Sequence, residues 1–353
     1  MSENAPADGN AAAIPESAPP VVTNRDPSVS PIRRFLGGGV GRNLGLVIAL
    51  LLIVVAGAIT AGDRFTNFEN FLTIIRFASI IGVISIGMTF VITAGGIDLS
   101  VGSVMGLATV VATLASVQAA ADSSTWLLMV VIAIAVGAFA GFVNGIVIAY
   151  GRVVPFIATL ATLVGARGLA ELISNKQTQI ATVQDYLSFF RGNLGGIPTL
   201  IWIFLVVAII GWFLLQRTTF GRRTIAIGGN AEASRLAGLK VKRHTVALYV
   251  LAGTAAGIAA VMMIGRTTVG TSTHGTLYEL DAIAAVVVGG TLLVGGRGTI
   301  IGTVFGVLIF STLTNVFTQN NLSTSVQAVA KGVIIVIAVL LQQRFAARGS
   351  RST

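Results

Sequence analysis

The chain has 353 residues, of which 54% are hydrophobic and only 10% charged, and its mean hydropathy is +0.88; that is more apolar surface than a soluble core of this length can hide. It reads as an integral membrane protein. Its net charge of +10 comes without a basic stripe interleaved with aromatics, so nucleic acid is not expected as a partner, and the absence of cysteine excludes disulfides, thiolate metal sites and thiol catalysis.

Residues 1–44 hold six of the eight prolines (Pro6, Pro15, Pro19, Pro20, Pro27 and Pro31) among Ala, Ser, Asn and Gly, and predict a disordered tail. The first apolar run starts only near Leu44, which does not match the opening n-region and h-region of a cleaved signal and predicts a retained span. Ten runs approach the length of about 20 residues that a helix needs to cross the hydrocarbon. They cover 44–61, 70–93, 100–121, 126–149, 154–174, 199–215, 244–264, 280–295, 299–318 and 326–343. The fold class is therefore an all-α polytopic membrane protein with about ten transmembrane helices in residues 45–343, followed by a tail at 344–353. The eighth run is short and the second long, so a broken or tilted pair is expected there.

Ten spans place both termini on one face, together with four basic residues of the N-terminal tail, Arg152, seven between 216 and 243, Arg297 and three after 343. These are 16 of the 23 Lys and Arg, which makes this face cytoplasmic. The opposite face then receives polar loops at about 175–198 and 265–279.

The stretch VITAGGIDLSVGSVMGL, 91–107, interrupts two spans with Gly95, Gly96, Asp98, Leu99 and Ser100. Glycines break a helix at low cost, and Asp98 and Ser100 suit the N-cap of the run starting near Val101. Two roles stand side by side for Asp98: a cap in a tight turn, or a group lining a translocation path. GGIDLSVG at 95–102 and GGTLLVGG at 289–296 share Gly-Gly-x-x-Leu-x-x-Gly on the same face, an internal repeat of the kind transporters use for interrupted helices. Gly137/Gly141/Gly145, Gly253/Gly257 and Gly302/Gly306 are small-residue stripes for close helix packing.

Arg167 and Glu171 lie four apart in the fifth run and are expected to pair, either as a structural ion pair or as part of a relay. Arg76 and Lys331 are expected to snorkel at outer helix ends, and Glu279 and Asp281 to cap the eighth run. His244 and His274 fall on opposite faces, so no catalytic pair and no metal constellation is expected. In the basic loop 216–243, Asn230 can cap a short helix over AEASRLAG that ends near Gly238, a shape suited to a partner's groove; a solvated basic loop is the plainer alternative.

GMTFVITAGGIDLSVGSVMGLA, AIGGNAEASRLAGL and YELDAIAAVVVGGTLLVGGRGTIIGT, in this order, resemble the membrane-spanning permeases of ribose-type ABC importers for monosaccharides. The resemblance implies a type II ABC importer-like bundle that pairs with a second permease copy or a paralogue. It also implies cytoplasmic ABC ATPase subunits and an extracytoplasmic sugar-binding protein. Asn230, Glu232, Ala233, Ser234 and Gly238 then match the ATPase-coupling loop, with Ser at the third position as a departure. Gly95, Gly96, Asp98, Leu99 and Ser100 would shape the path or the helix break beside it. With no GxxxxGK[ST] stretch, the chain is expected to be a transport subunit in the bacterial inner membrane that binds no cofactor itself, ATP and Mg being held by the partner. The alternatives are an ion-gradient-driven secondary transporter and a membrane scaffold without flux.

Overall fold

Gly62, at a positive φ of 56°, ends the first long helix, and Asn67 starts the next by accepting a hydrogen bond from the Glu69 amide at 2.9 Å. These are α1 (Gly39–Ala61), the single turn α2 (Asp63–Thr66) and α3 (Phe68–Thr93) of a computed structural model that describes residues 39–349. Most of the expected tail, residues 1–38, lies outside the described residues, as do 350–353. After a non-helical segment come α4 (Val101–Ala112), α5 (Ala115–Ser123), α6 (Leu127–Ala149) and α7 (Pro155–Ser174). Pro155 occupies the first turn of α7, where its missing N–H costs nothing, and Asn175 closes the helix in a left-handed conformation.

The expected loop at 175–198 instead folds into β1 (Gln179–Ile180), α8 (Gln184–Arg191), β2 (Asn193–Leu194) and β3 (Ile197–Pro198). Then follow α9 (Thr199–Arg217), α10 (Thr219–Gly229), α11 (Ala231–Leu236), α12 (Val241–Thr267), β4 (Val269–Gly270), α13 (Tyr278–Val288), α14 (Ile300–Gln319) and α15 (Thr324–Gly349). The strands form only two-residue antiparallel pairs, β1 with β4 and β2 with β3.

The all-α polytopic architecture stands, and the helix count is corrected. Among the described residues seven helices (α1, α3, α6, α7, α9, α12 and α14) are long and apolar enough to cross a membrane, or eight if α4 and α5, bent by 59°, count as one broken span. The break sits in the third run, whereas the second is the continuous α3. The eighth run yields only the 11-residue α13, because Gly289 and Gly290 end it. The tenth lies within α15, which continues through 344–349.

Burial separates centre from periphery. Within their most apolar 18 residues, α3 is 78% buried and α12 72%, against 17% for α1 and 22% for α7. A helix that is apolar all round belongs in the interior of the bundle.

The small-residue stripes decide who neighbours whom. A Cβ on Gly137 would fall on the Gly253 carbonyl oxygen, one on Gly253 on that of Gly137, one on Gly141 on that of Tyr249, and one on Gly257 within 2.7 Å of that of Ala133. α6 and α12 therefore touch backbone to backbone. Gly302 and Gly306 do the same for α14 against the carbonyls of Gly289, just past the end of α13, and of Ala285 on α13.

The basic loops gather at one end, where Lys242 lies 5.3 Å from the Tyr150 ring centroid. At the far end, α8 seats Tyr186 and Phe190 against α12. The Tyr186 hydroxyl donates to the Val261 carbonyl at 2.6 Å, and Trp126 stacks on Phe189 at 5.1 Å. Residues 271–277, expected in a loose outer loop, descend in turns along α4. The Ser272, His274 and Gly275 carbonyls come against Gly106 and Gly102, too close for side chains there.

Candidate functional site

Three glycine pairs meet at the basic end. α3 ends at Thr93, and Gly95 follows with φ 83°; α13 ends at Val288, and Gly290, Gly295 and Gly296 follow with φ 89°, 86° and 76°. Only glycine adopts these conformations without strain. The Gly296 amide donates to the Thr93 carbonyl at 2.8 Å, so the two copies of the Gly-Gly motif, nearly 200 positions apart, are hydrogen-bonded neighbours. Gly228 inserts between them: a Cβ there would land on the Thr93 carbonyl oxygen and 2.5 Å from the Gly296 nitrogen. Since Gly228 and Gly229 close α10 directly before Asn230, the basic loop is seated on both turns at once.

The loop itself forms the expected short helix. Asn230 Oδ1 accepts from the Ala233 amide at 2.8 Å, and Gly238, at φ 84°, ends α11 while the Leu239 amide returns to the Ser234 carbonyl at 3.0 Å. Both ends are thus capped from within the loop. Glu232 accepts from Arg235 Nε at 3.0 Å and also from its Nη2, and that hydrogen bond, with the nearby charge, holds the Glu232 carboxyl below its ordinary value. Glu232 and Ala233 are exposed, whereas Ser234 is buried. The departure from the Glu-Ala-Ala pattern therefore falls on the face turned to the bundle. Leu236, 74% exposed, is an apolar side chain projecting from a charged surface, and the sequence reading passed over it. The signal was present as one large apolar residue between Arg235 and Gly238.

The loop after α3 forms the expected tight turn at Asp98 but not the helix cap at Ser100. Asp98 is buried, but its Oδ1 accepts from the Ser100 amide at 2.8 Å and from the Ser100 hydroxyl at 2.6 Å, a local turn before the helix. Ser100 occupies the N-cap position of α4 and makes no capping bond. Its hydroxyl instead accepts from Asn144 on α6 at 2.9 Å, and Asn144 accepts from Thr162 on α7. Asp98, Ser100 and Asn144, all buried, and the half-buried Thr162 form one polar chain across three elements. Leu99 is half-buried and Gly95 exposed, and Gly96 lies against Val91 and the Tyr249 hydroxyl. Because asparagine keeps the accepting Oδ1, Asp98→Asn should leave the melting temperature almost unchanged. Asp98→Leu, which strands two buried donors, should lower stability by about 1–3 kcal/mol per donor; thermal unfolding in detergent distinguishes them.

The other charges are placed differently from expectation. Arg167 does not pair with Glu171; its Nη1 donates to the His274 carbonyl at 2.9 Å, and Glu171 lies 3.9 Å from Lys176. Lys331 does not snorkel but pairs with Asp281 at 3.1 Å. Both are contacts between elements distant in sequence, which i,i+4 spacing cannot see. Glu279 and Asp281 do fall in the first turn of α13. His244 meets Thr224 at 2.8 Å and His274 meets Thr109 at 3.3 Å, so the two histidines stay apart. Among the described residues no group of three or more His, Asp or Glu is placed to hold a metal ion.

Interrupted helices meeting at a glycine junction inside a polytopic bundle are the architecture of membrane transport proteins. Residues 70–339 match the family described as branched-chain amino acid transport system / permease component, and the chain belongs to that family. It is a transport subunit and a multi-pass protein of the inner membrane. All three motifs that carried the resemblance fall inside the matched range. Similar proteins include the ribose import permease protein RbsC of Bacillus subtilis, 41% identical over 88% of this chain and 96% of the relative. RbsC of Escherichia coli K12 is 38% identical over 83% and 92%. The L-arabinose ABC transporter permease protein AraH of Azospirillum brasilense is 35% identical over 90% and 93%. These relatives bear out the resemblance to ribose-type ABC permeases. No solved structure matches the chain.

Proposed function

We propose that this chain is the permease subunit of an ATP-binding-cassette importer that moves a monosaccharide, of the pentose or hexose class, into the cell by alternating access. The observation that carries the mechanism is the seating of the end of α10, directly before α11, on both Gly-Gly turns through Gly228. A displacement of the basic loop has no side chain to absorb it before it reaches the end of α3 and the glycine turn that leads into α14. The basic end faces the cytoplasm, in keeping with the distribution of Lys and Arg. There α11, with Asn230, Glu232, Ala233 and Gly238 shaping it and Leu236 as its apolar anchor, docks into a groove of an ABC ATPase subunit that holds ATP and Mg. This chain binds no cofactor of its own. A second permease, copy or paralogue, completes the pathway, and an extracytoplasmic sugar-binding protein delivers substrate to the far end. Gly95, Gly96, Asp98, Leu99 and Ser100 form the helix break at the inner mouth of the path.

The test is reconstitution in vesicles with the ATPase and binding proteins encoded beside it, measuring uptake of labelled pentoses and hexoses. Uptake that needs ATP and both partners is expected; uptake driven by an ion gradient through this chain alone would overturn the reading. In the same assay Glu232→Ala should cut import about tenfold, the loss of one interface contact worth about 1.4 kcal/mol. The melting temperature of the permease should hold, because an exposed pair contributes little to stability.

A further inference from the structure

A cavity of about 530 Å³ opens between the far-end halves of α3 and α14, the start of α13 and the first turns of α15. Its size falls within the range of small-molecule sites and exceeds what one monosaccharide fills. The chemistry of its walls is specific. Three carboxamides form one side: Asn70 and Asn315 exchange hydrogen bonds at 2.8 and 3.0 Å, and Gln319 donates to Asn70 at 2.7 Å. The rings of Phe77 and Tyr278 supply apolar surface. Arg266 lies 3.4 Å from the Phe77 ring centroid and holds that ring from outside the cavity.

Two further observations point to a ligand. Ser311 lines the cavity, is 6% exposed, and its hydroxyl is buried without a hydrogen-bond partner. A buried hydroxyl left unpaired is costly, and a rotation about χ1 that turns it into the cavity would let a guest's hydroxyl satisfy it. Secondly, the charged side chains on the walls balance: Arg64 and Lys331 against Glu69 and Asp281, with Lys331 and Asp281 already paired. A site for phosphate or a lipid headgroup would carry surplus positive charge. Amides, hydroxyls and flat apolar rings without net charge suit a neutral polyol with alternating hydroxyl and C–H faces.

We propose that this cavity is a receiving site for the free monosaccharide on the permease itself, occupied after the sugar leaves its carrier and before the bundle switches. The proposal rests on the sugar-importer reading and adds a site to it.

Because the chain contains no cysteine, one introduced thiol is the only one on the permease, and labelling is read on the permease band after the subunits are separated. Ser311→Cys, and Thr314→Cys one turn further along the same wall should the first fail to fold, are incorporated into the full complex and labelled with a small charged methanethiosulfonate reagent. D-ribose, L-arabinose and D-glucose serve as protecting probes. With a sugar the complex imports, at about ten times its Kd, labelling should slow about tenfold. Labelling at Ser124→Cys, on an exposed far-end turn, should stay unchanged. Equal labelling with and without an imported sugar, or no labelling at all, overturns the site while leaving the importer reading intact. Protection by soluble phosphate-bearing headgroups in place of sugars overturns it in favour of a lipid. A wild-type complex that imports none of a full pentose and hexose panel removes the importer reading, and the site falls with it.

Discussion

Gly253→Leu is expected to prevent the permease from reaching a stable folded state, so that detergent extraction yields aggregated protein in place of a monodisperse species. The reason is geometric. The seam between α6 and α12 is backbone on backbone, and the first side-chain atom placed at Gly253 would already clash with the Gly137 carbonyl oxygen and come within 3.0 Å of the Gly141 Cα. A flexible side chain can step aside, but a helical carbonyl moves only with its helix. Overpacking a core ordinarily costs about 1–3 kcal/mol, through shifts that spread over several side chains. Here the strain falls on two rods in contact along their length, and the cost should exceed that range. Gly253→Ala should lie between, folding with a melting temperature lowered by several degrees. A leucine variant that melts like the wild type would show that the two helices do not touch as described.

The second large effect concerns transport. Gly228→Ala adds one methyl at the point where the Thr93 carbonyl and the Gly296 amide meet, so the basic loop must lift off one or both turns. Import by the reconstituted complex should fall by more than tenfold, equivalent to about 1.4 kcal/mol or more in the switching barrier. ATP hydrolysis by the partner should persist, because α11, its caps and Leu236 are untouched. Gly229→Ala is the matched control: the next residue has open space where its Cβ would stand, and its import should match the wild type. Equal activity of the two alanine variants would rule out the junction as the route from loop to bundle.

Local chemistry is what the sequence revealed well. The caps of α11, with Asn230 at one end and Gly238 at the other, lie within nine residues of each other, and turn chemistry alone announces them. The stripes at Gly137, Gly253 and Gly302 were legible because small residues four apart have one strong packing use in lipid. Their partners were not, since periodicity names the face of a helix and not what covers it. The same limit explains why Arg167 was assigned to Glu171 when its donor reaches the His274 carbonyl on another element. Gly102 and Gly106 carry the same four-residue signal and were passed over, and with them the close approach of residues 271–277 to α4. Hydropathy overcounted the spans because apolar runs at 100–121 and 280–295 look continuous. A 59° bend at Thr113 and Leu114, and the glycines after Val288, cut them into shorter helices.

α12 runs for 27 residues without a break, about 40 Å at the rise of an α-helix. It begins two residues after the loop that ends at Gly238 and Leu239, where His244 binds Thr224 of α10, and near its other end the Val261 carbonyl holds Tyr186 of α8. An unbroken helix of this length behaves as a push-rod: a shift or tilt imposed at one end arrives at the other with little loss, and no relay of side chains has to rearrange in between. The two surfaces of the membrane are thus joined by a single stiff member, and a motion that reseats the basic loop also moves the far-end cover formed by α8.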